Sequence, residues 1–391
     1  MKIRHSHHHT GTVFGVFMFL ILFYSVGASL GDPVLSRFAE GLAGNTFLIG
    51  ILVSLSWITY TILSEPAGSI VDRIGEKKTL IFGGVLDSLG YFLIFLSNSI
   101  FVFAFAMILE GMGSAFFWSS TRTHIAKVSE KKTGKAFGLY TASWSLGWSF
   151  GPIIGGFLAI LFDLRLPFLI SSIVMLLTVF VFSRSIKDVN KSVGKAIRYE
   201  MHGGFLKDGI HFLKNAEKGV KRILLSHLLL NCSVTMIFVF IPLYLFQLNH
   251  AEVGYIFFIY SLIFAFSSIF WGYMTDRFGR HSFSVVGFLV SGILVVFFLG
   301  ISNFLFAFIL TAFLGLTFSI VEPTLIAMLN DRISPKQRGT ANGISIASFA
   351  LGGSIGSIAG GYTASIGFGN LFILAALICF VGGGICLTIR K

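Results

Sequence analysis

The chain has 391 residues, of which 55% are hydrophobic and 12% are charged, and its mean hydropathy is +0.86. A soluble domain carries roughly 25% charged residues, so this composition excludes an ordinary water-soluble protein. The net charge of +12 could suggest nucleic-acid binding. The basic residues lie in short segments between apolar runs, however, which is typical of membrane topology. The three cysteines lie in apolar segments and predict neither a disulfide framework nor a metal site.

Apolar runs of about 20 residues, the length that crosses a bilayer, follow one another along the chain. In the first half, spans are predicted at 12–31, 47–70, 79–97, 100–122, 134–161 and 166–184. In the second half, they are predicted at 222–247, 253–274, 282–300, 303–329, 339–364 and 367–388. The pattern predicts an all-α polytopic membrane protein with twelve transmembrane helices. Its domains would be an N-terminal six-helix bundle (1–184), a cytoplasmic linker (185–221) and a C-terminal six-helix bundle (222–391).

Basic residues concentrate on one side of the predicted spans. If both termini lie in the cytoplasm, the opposite side keeps only Arg37 and Arg165. An excess of Lys and Arg in cytoplasmic loops is the main topological signal of membrane proteins. We therefore expect a multi-pass protein of the cell membrane with both termini in the cytoplasm.

The two halves repeat at an offset of 204 to 205 residues. The sequence Gly-Ser-Ile-Val-Asp-Arg-Ile-Gly at 68–75 follows the second span, and Gly-Tyr-Met-Thr-Asp-Arg-Phe-Gly at 272–279 follows the eighth. Many small residues from Gly134 onward match those from Gly339 onward at one constant offset. Internally repeated halves around a central site are the architecture of many secondary transporters.

The repeated loop resembles the motif Gly-x-x-x-Asp-Arg-x-Gly-x-Lys of the major facilitator superfamily, and the resemblance covers essentially the whole chain. The matching residues are Gly68, Asp72, Arg73, Gly75 and Lys77 in the first copy, and Gly272, Asp276, Arg277 and Gly279 in the second. A carboxylate here can accept from backbone N–H groups at the start of a neighbouring span. The arginine offers a planar donor fork to carboxylates such as Glu130. We interpret the paired loops as a cytoplasmic gate; a tight turn within a topology-setting charge cluster is the alternative.

The fifth span carries a second motif, Gly-x8-Gly-x3-Gly-Pro-x2-Gly-Gly. It is formed by Gly138, Gly147, Gly151, Pro152, Gly155 and Gly156. The motif resembles the mark of the drug:proton antiporter branch, which implies a helix that seals the contact between halves and favours antiport. Its copy in span eleven has Ser357 in place of Pro152. Ordinary small-residue helix packing is the alternative.

Ionisable residues inside spans are costly and therefore predict functional sites. The candidates for the coupling proton are Glu110, Asp32, Glu322 and Asp87, which lie in or at the ends of spans four, one, ten and three. Asp32 as a solvated cap and Asp87 as a structural partner are the alternatives. Proton antiporters of the superfamily usually have an arginine three residues before the Glu-Gly pair of span four. Met107 stands there, so a uniporter or a differently coupled carrier stays open.

Aromatic and polar residues of the spans predict a substrate cavity. The candidates are Trp118, Tyr140, Trp144, Asn231 and Glu322. Aromatic pockets bind lipophilic and cationic solutes through area burial and cation–π attraction. The resemblance implies that spans one, four, seven and ten line such a cavity and that span five flanks it. For any single aromatic residue, exposure to lipid is the alternative.

These features predict a secondary active transporter that exports drug-like or amphipathic compounds by alternating access, with protons as the coupling ion. We expect a monomer in the lipid bilayer, with a small-molecule substrate and no cofactor, metal or nucleic acid. A sugar or polar-metabolite transporter and a non-transporting receptor or scaffold stay open. The sequence has no phosphate loop for ATP and no zinc His-Glu-x-x-His motif, which argues against an enzyme.

Overall fold

The computed structural model describes residues 4–128, 133–185, 211–249, 252–334 and 338–389. The long helices of the first half are α1 (Arg4–Ser29), α2 (Asp32–Ala43), α3 (Thr46–Ile74), α4 (Glu76–Leu96), α5 (Ile100–Val128), α6 (Thr133–Leu161) and α7 (Leu166–Ser185). Those of the second half are α8 (Lys218–Gln247), α9 (Gly254–Phe278), α10 (Arg280–Phe297), α11 (Phe304–Arg332), α12 (Arg338–Ile366) and α13 (Phe368–Leu387).

The predicted fold class is confirmed. Twelve segments of the described chain are long and apolar enough to cross a membrane. The first of them, Phe14–Ala43, extends beyond the predicted end at residue 31 because α2 follows α1 almost directly. Pro33 has no N–H group and cannot continue α1, but it suits the first turn of a new helix. Asp32 therefore begins α2, where a negative charge is favourable at a helix N-terminus.

Each half contributes six spans, and four helix pairs recur in both halves. In the first bundle, α1 packs on α6 and α7, and α4 packs on α5 and α7. In the second, α8 packs on α12 and α13, and α10 packs on α11 and α13. Each contact of the first bundle thus has its counterpart in the second, which is the structural form of the sequence repeat.

Packing divides the chain into two compact units that differ from the bundles in one segment. One unit contains the described residues of 1–32 and 62–198, and the other those of 33–61 and 199–391. Residues 33–61 belong to the second unit because α3 lies against α12: Thr46 Oγ1 donates to the Gly361 carbonyl at 3.2 Å. The predicted domain bounds follow the sequence repeat and stay a prediction; residues 186–210 of the predicted linker lie outside the described ranges.

Candidate functional site

Helices α4 and α5 pack backbone against backbone in the first bundle because glycines line their contact. A Cβ atom at Gly113 would lie 2.2 Å from the backbone nitrogen of Asp87, and one at Gly90 would lie 2.9 Å from that of Glu110. Small residues permit this approach, and larger ones would force the helices apart. The close contact sets Asp87 of α4 beside Glu110 of α5.

A partly buried group of polar side chains forms where these helices meet α1. Tyr24 Oη donates to Asp87 Oδ2 at 2.6 Å, and Ser114 Oγ donates to the same oxygen at 3.1 Å. Ser114 Oγ also lies 3.4 Å from Glu110 Oε1, so one hydroxyl touches both carboxyl groups. We call Tyr24, Asp87, Glu110 and Ser114 the carboxylate cluster.

One oxygen of the carboxylate cluster has no partner. Tyr24 and Asp87 are both fully buried, and Asp87 Oδ1 has no hydrogen-bond partner among the described residues. An unsatisfied charged oxygen in such surroundings is costly. The arrangement suits a carboxyl group that takes up a proton or a cationic ligand.

Three of the four predicted proton carriers share this region. Asp32 and Tyr91 lie within electrostatic range of Glu110, and the Tyr91 hydroxyl donates to the Ala28 carbonyl. Asp32, Asp87 and Glu110 are therefore brought together in one unit. Glu322, the fourth candidate, is a half-buried residue of α11 before Pro323 and belongs to the other unit.

An aromatic cluster continues from Tyr24. Its ring stacks on Phe117 with centroids 3.5 Å apart, and Trp118 meets both rings edge-on at 5.9 and 5.2 Å. Tyr140 follows with its centroid 6.4 Å from Trp118, and its hydroxyl shares a hydrogen bond with Thr121 Oγ1 at 3.1 Å. Two predicted cavity residues, Trp118 and Tyr140, thus join the carboxylate cluster through one tyrosine.

The other predicted cavity residues lie apart from this cluster. Trp144 on α6 is half-buried and packs against Trp148 with centroids 5.8 Å apart. Asn231 on α8 belongs to the other unit, where its Nδ2 donates to the Phe349 carbonyl at 2.7 Å. This hydrogen bond ties α8 to α12, so the Asn231 amide already has a structural partner.

Both loop motifs turn at their last glycine. Gly75 has φ of 100° and Gly279 has φ of 103°, a backbone conformation that glycine adopts without strain. A Cβ atom at Gly68 or Gly272 would meet open space. The turn therefore requires the later glycine of each motif, and packing within the described structure does not require the earlier one.

The charged residues of the predicted gate are described in part. Arg73 is exposed, and the Arg277 guanidinium lies 5.4 Å from the Phe278 ring centroid. The Asp72 side chain and Glu130 lie outside what the structure describes, so the predicted pair with Glu130 and the gate role of Lys77 stay predictions.

The residue after each turning glycine forms an ion pair. This residue is the acid of the pair in the first bundle and the base in the second. In the first bundle, Lys127 Nζ donates to the buried Glu76 at 2.9 Å. In the second, Arg280 pairs with Asp331 at the end of α11 and, at 2.6 Å, with Asp276. The sequence offset is 204 residues both from Glu76 to Arg280 and from Lys127 to Asp331. The repeat thus keeps the position of the ion pair and exchanges its acid and its base.

The glycines of the span-five motif form a contact face on α6. Cβ atoms at Gly147 and Gly151 would lie 2.4 Å from Ser25 Cβ and 2.0 Å from Ser29 Oγ, and one at Gly155 would lie 1.7 Å from the Leu30 carbonyl oxygen. These three glycines face α1 within the same bundle, as ordinary small-residue packing predicts. The contact between halves that the resemblance implies for this motif stays a prediction. Gly138 has open space around it.

The second bundle repeats this face on α12. Gly352 and Gly356 lie against α8, where added Cβ atoms would come within 2.2 Å of the Leu228 carbonyl and 2.4 Å of the Cys232 carbonyl. Pro152 lies inside α6 without ending it. The roles that the resemblance implies for Pro152 and Gly156 stay predictions.

Sequence reasoning missed the neutral members of the site and both ion pairs. Tyr24 and Ser114 carry no signal in an apolar run, since their partners are 63 and 27 residues away. The pair of Glu76 and Lys127 had a usable signal, because Arg280 and Asp331 occupy the equivalent positions with opposite charge.

Comparisons with known proteins agree with this architecture. The sequence profile of the Major Facilitator Superfamily matches residues 12–218 and 223–391. Multidrug resistance protein 2 of Bacillus subtilis (strain 168) is 25% identical over 394 residues, covering 97% of this chain and 96% of its own. Quinolone resistance protein NorA of Staphylococcus aureus (strain MRSA252) is 29% identical over 154 residues, which is 39% of each chain.

A solved structure shows the same fold. The crystal structure of a bacterial homologue of the human lysosomal transporter Spinster, in an inward-facing and unoccupied conformation, has a TM-score of 0.77 and 14% identity. The match covers 98% of both chains. The chain is a multi-pass integral membrane transporter that belongs to the major facilitator superfamily, as its loop motifs predicted.

Proposed function

We propose that this transporter exports drug-like or amphipathic compounds in exchange for protons by alternating access. The observation that carries the proposal is the junction of the aromatic cluster with the carboxylate cluster at Tyr24. Its ring stacks at 3.5 Å on Phe117, and its hydroxyl bonds the buried Asp87 at 2.6 Å. The names of the multidrug relatives support the same class of substrate.

The aromatic cluster offers a surface for the apolar part of a solute. Phe117 and Trp118 are large rings that gain by burial of apolar area and attract cations over their faces. A solute that displaces Trp118 or Tyr24 also disturbs the hydrogen bond of Asp87. Solute binding and proton binding are thereby coupled, and such coupling is reciprocal.

Charge explains why the exchange favours antiport. A proton on Asp87 or Glu110 removes the negative charge that attracts a cationic solute, so proton and solute binding oppose each other. Exchange by alternating access requires that the inward-open and outward-open conformations differ in their affinity for the proton and for the solute. We further propose that both termini and the gate loops face the cytoplasm, and that a monomer is the transporting unit.

Reconstituted protein tests the proposal with a permanently charged lipophilic cation, tetraphenylphosphonium. In vesicles with an acidic lumen, we expect wild-type protein to accumulate the cation inside as protons leave. A sugar should show no such accumulation, and protein-free vesicles give the background. Accumulation that ignores the pH gradient would contradict proton coupling, and accumulation of the sugar alone would contradict the proposed substrate class.

Two substitutions test whether proton coupling depends on the carboxylate cluster. Glu110→Gln and Asp87→Asn should each lower gradient-driven accumulation by about tenfold or more, since one proton-transfer group is lost. Asp163→Asn is the matched control, because Asp163 is an exposed acid between α6 and α7. Unchanged transport in both cluster variants would move the coupling site elsewhere, with Glu322 as the next candidate.

A further inference from the structure

We propose that Ser114 relays one proton between Glu110 and Asp87, so that the two carboxyl groups act as a single proton-binding unit. The inference rests on the proposed proton coupling and names the group that moves the proton. A second observation, besides the closeness of the acids, is that Asp87 is fully buried and its Oδ1 lacks a partner within the described structure. An ionised carboxylate with one unpaired oxygen is costly in such surroundings, which favours uptake of a proton by Asp87.

Hydrogen counting shows how Ser114 can connect the two carboxyl groups. Its Oγ lies 3.1 Å from Asp87 Oδ2 and 3.4 Å from Glu110 Oε1, but a hydroxyl group has one hydrogen to donate. When that hydrogen points to Asp87, Glu110 faces a lone pair of the serine oxygen. The second contact is then attractive only if Glu110 carries a proton and donates it to Oγ.

The transfer needs no further reactant. The Glu110 O–H proton passes to Ser114 Oγ while the Ser114 proton passes to Asp87 Oδ2. One O–H bond breaks and one forms at the serine, which ends as a hydroxyl again. Glu110 becomes the carboxylate, Asp87 becomes the carboxylic acid, and the pair keeps one negative charge throughout.

The contact of Ser114 with Glu110 is the longer of the two and must shorten before a proton can pass. At 3.4 Å it exceeds the usual O–H···O distance, which is about 2.7–2.8 Å. Glu110 and Ser114 are four residues apart and so lie on one face of α5.

The surrounding groups influence which of the two carboxyl groups carries the negative charge. Tyr24 of α1 donates to Asp87 Oδ2 and so stabilises the carboxylate form of Asp87. Asp32 of α2 and Tyr91 of α4 lie within electrostatic range of Glu110. The contact of α4 with α7 includes neutral hydroxyls, where Ser88 Oγ donates to the Ser172 carbonyl at 2.8 Å.

Serine variants test the relay while both carboxyl groups stay in place. Ser114→Ala should lower gradient-driven accumulation of tetraphenylphosphonium by about tenfold or more, because the bridging hydroxyl is lost. Ser114→Thr keeps a hydroxyl and should retain most of the wild-type rate. Ser88→Ala is the matched control, since Ser88 is a buried serine one residue from Asp87 whose hydroxyl bonds Ser172.

The yield and thermal unfolding temperature of the purified variants separate loss of coupling from loss of folding. We expect Ser114→Ala to be purified at the wild-type level and to unfold near the wild-type temperature, although its gradient-driven transport is lost. Infrared difference spectra should show a protonated carboxyl band in wild type that shifts in Ser114→Ala. Wild-type coupling in Ser114→Ala with an unshifted band would overturn the relay. Absence of gradient-driven transport in the wild type would instead contradict the proposed function.

Discussion

Tyr24 is a single side chain that belongs to two clusters at once. Its ring lies against Phe117, and its hydroxyl donates to Asp87. A hydrogen bond to a charged group contributes more to stability than one to a neutral group. The charge state of Asp87 in the resting protein therefore determines how much the Tyr24 hydroxyl is worth.

The substitution Tyr24→Phe measures that charge state. The stacked ring is kept and one donor is lost, and we expect a loss of about 1.5–3 kcal/mol if Asp87 is ionised. Tyr91→Phe is the matched control, because the Tyr91 hydroxyl donates to the neutral Ala28 carbonyl. Its loss should be about 0.5–1.5 kcal/mol.

Thermal unfolding in detergent checks both variants with a thiol-reactive dye. Cys232, Cys379 and Cys386 are free and buried, so the dye reacts as the protein unfolds. Equal destabilisation by the two variants would show that Asp87 is neutral in the resting state.

At the residue scale, sequence predicted the charged members of the site and not their partners. Asp87 and Glu110 are acids within apolar runs, which is a local signal. Their meeting depends on Gly90 and Gly113, whose importance appears only when the facing backbone of the other helix is known. Neutral hydroxyls such as Ser114 are common in spans and give no signal until the packing is known.

At the scale of the helix, the glycine face of α6 determines how closely it approaches α1. Gly155→Ala should destabilise the protein by about 1–3 kcal/mol, since an added methyl cannot fit beside a backbone carbonyl. The Cβ atom would lie 1.7 Å from the Leu30 oxygen. The dye-based unfolding temperature should fall accordingly.

Gly138→Ala is the control on the same helix. Nothing lies within 4 Å of an added Cβ atom there, and alanine favours helix over glycine by about 1 kcal/mol. Its unfolding temperature should stay the same or rise. An equal fall in unfolding temperature for Gly138→Ala and Gly155→Ala would show that the contact with α1 does not cause the destabilisation.

The ion pairs at the ends of α4 and α10 should differ in strength. Glu76 is 2% exposed, whereas Asp331 is 59% exposed. Lys127→Ala removes the lysine from a buried carboxylate and should cost about 1.5–3 kcal/mol, the range for a hydrogen bond to a charged group, since His124 stays 3.7 Å from Glu76. Asp331→Ala should cost about 1 kcal/mol or less, because Arg280 keeps Asp276.

A double variant tests whether the acid and the base of the first ion pair can exchange positions. Glu76→Arg combined with Lys127→Asp copies the arrangement of the second bundle. We expect the double variant to be more stable than Glu76→Arg alone, as measured by thermal unfolding. No recovery would show that neighbours such as His124, whose Nδ1 lies 3.7 Å from Glu76, require an acid at position 76.

At the scale of the whole molecule, the sequence predicted twelve spans and two similar bundles because apolar length and repeated glycines are local signals. It did not predict that α3 would pack with the second unit. That grouping depends on Gly50 and Gly361, which permit close contact of α3 with α12. Either glycine alone resembles any other small residue in a span.

Orientation in the membrane is a property of the whole chain and can be tested with single cysteines. The excess of basic residues predicts that the connection at Ser99 faces outward and that Lys214 faces the cytoplasm. Both residues are exposed. A membrane-impermeant maleimide should label Ser99→Cys in intact cells and Lys214→Cys only after permeabilisation. The reverse pattern would place both termini outside.

The exchanged polarity of the two ion pairs bears on how the halves diverged after an internal duplication. Reversing a pair takes two substitutions, and a direct first step leaves two like charges facing each other. Such an intermediate is costly where Glu76 is buried and tolerable where Asp331 meets solvent. A single charge reversal at these positions therefore destabilises the first half more than the second.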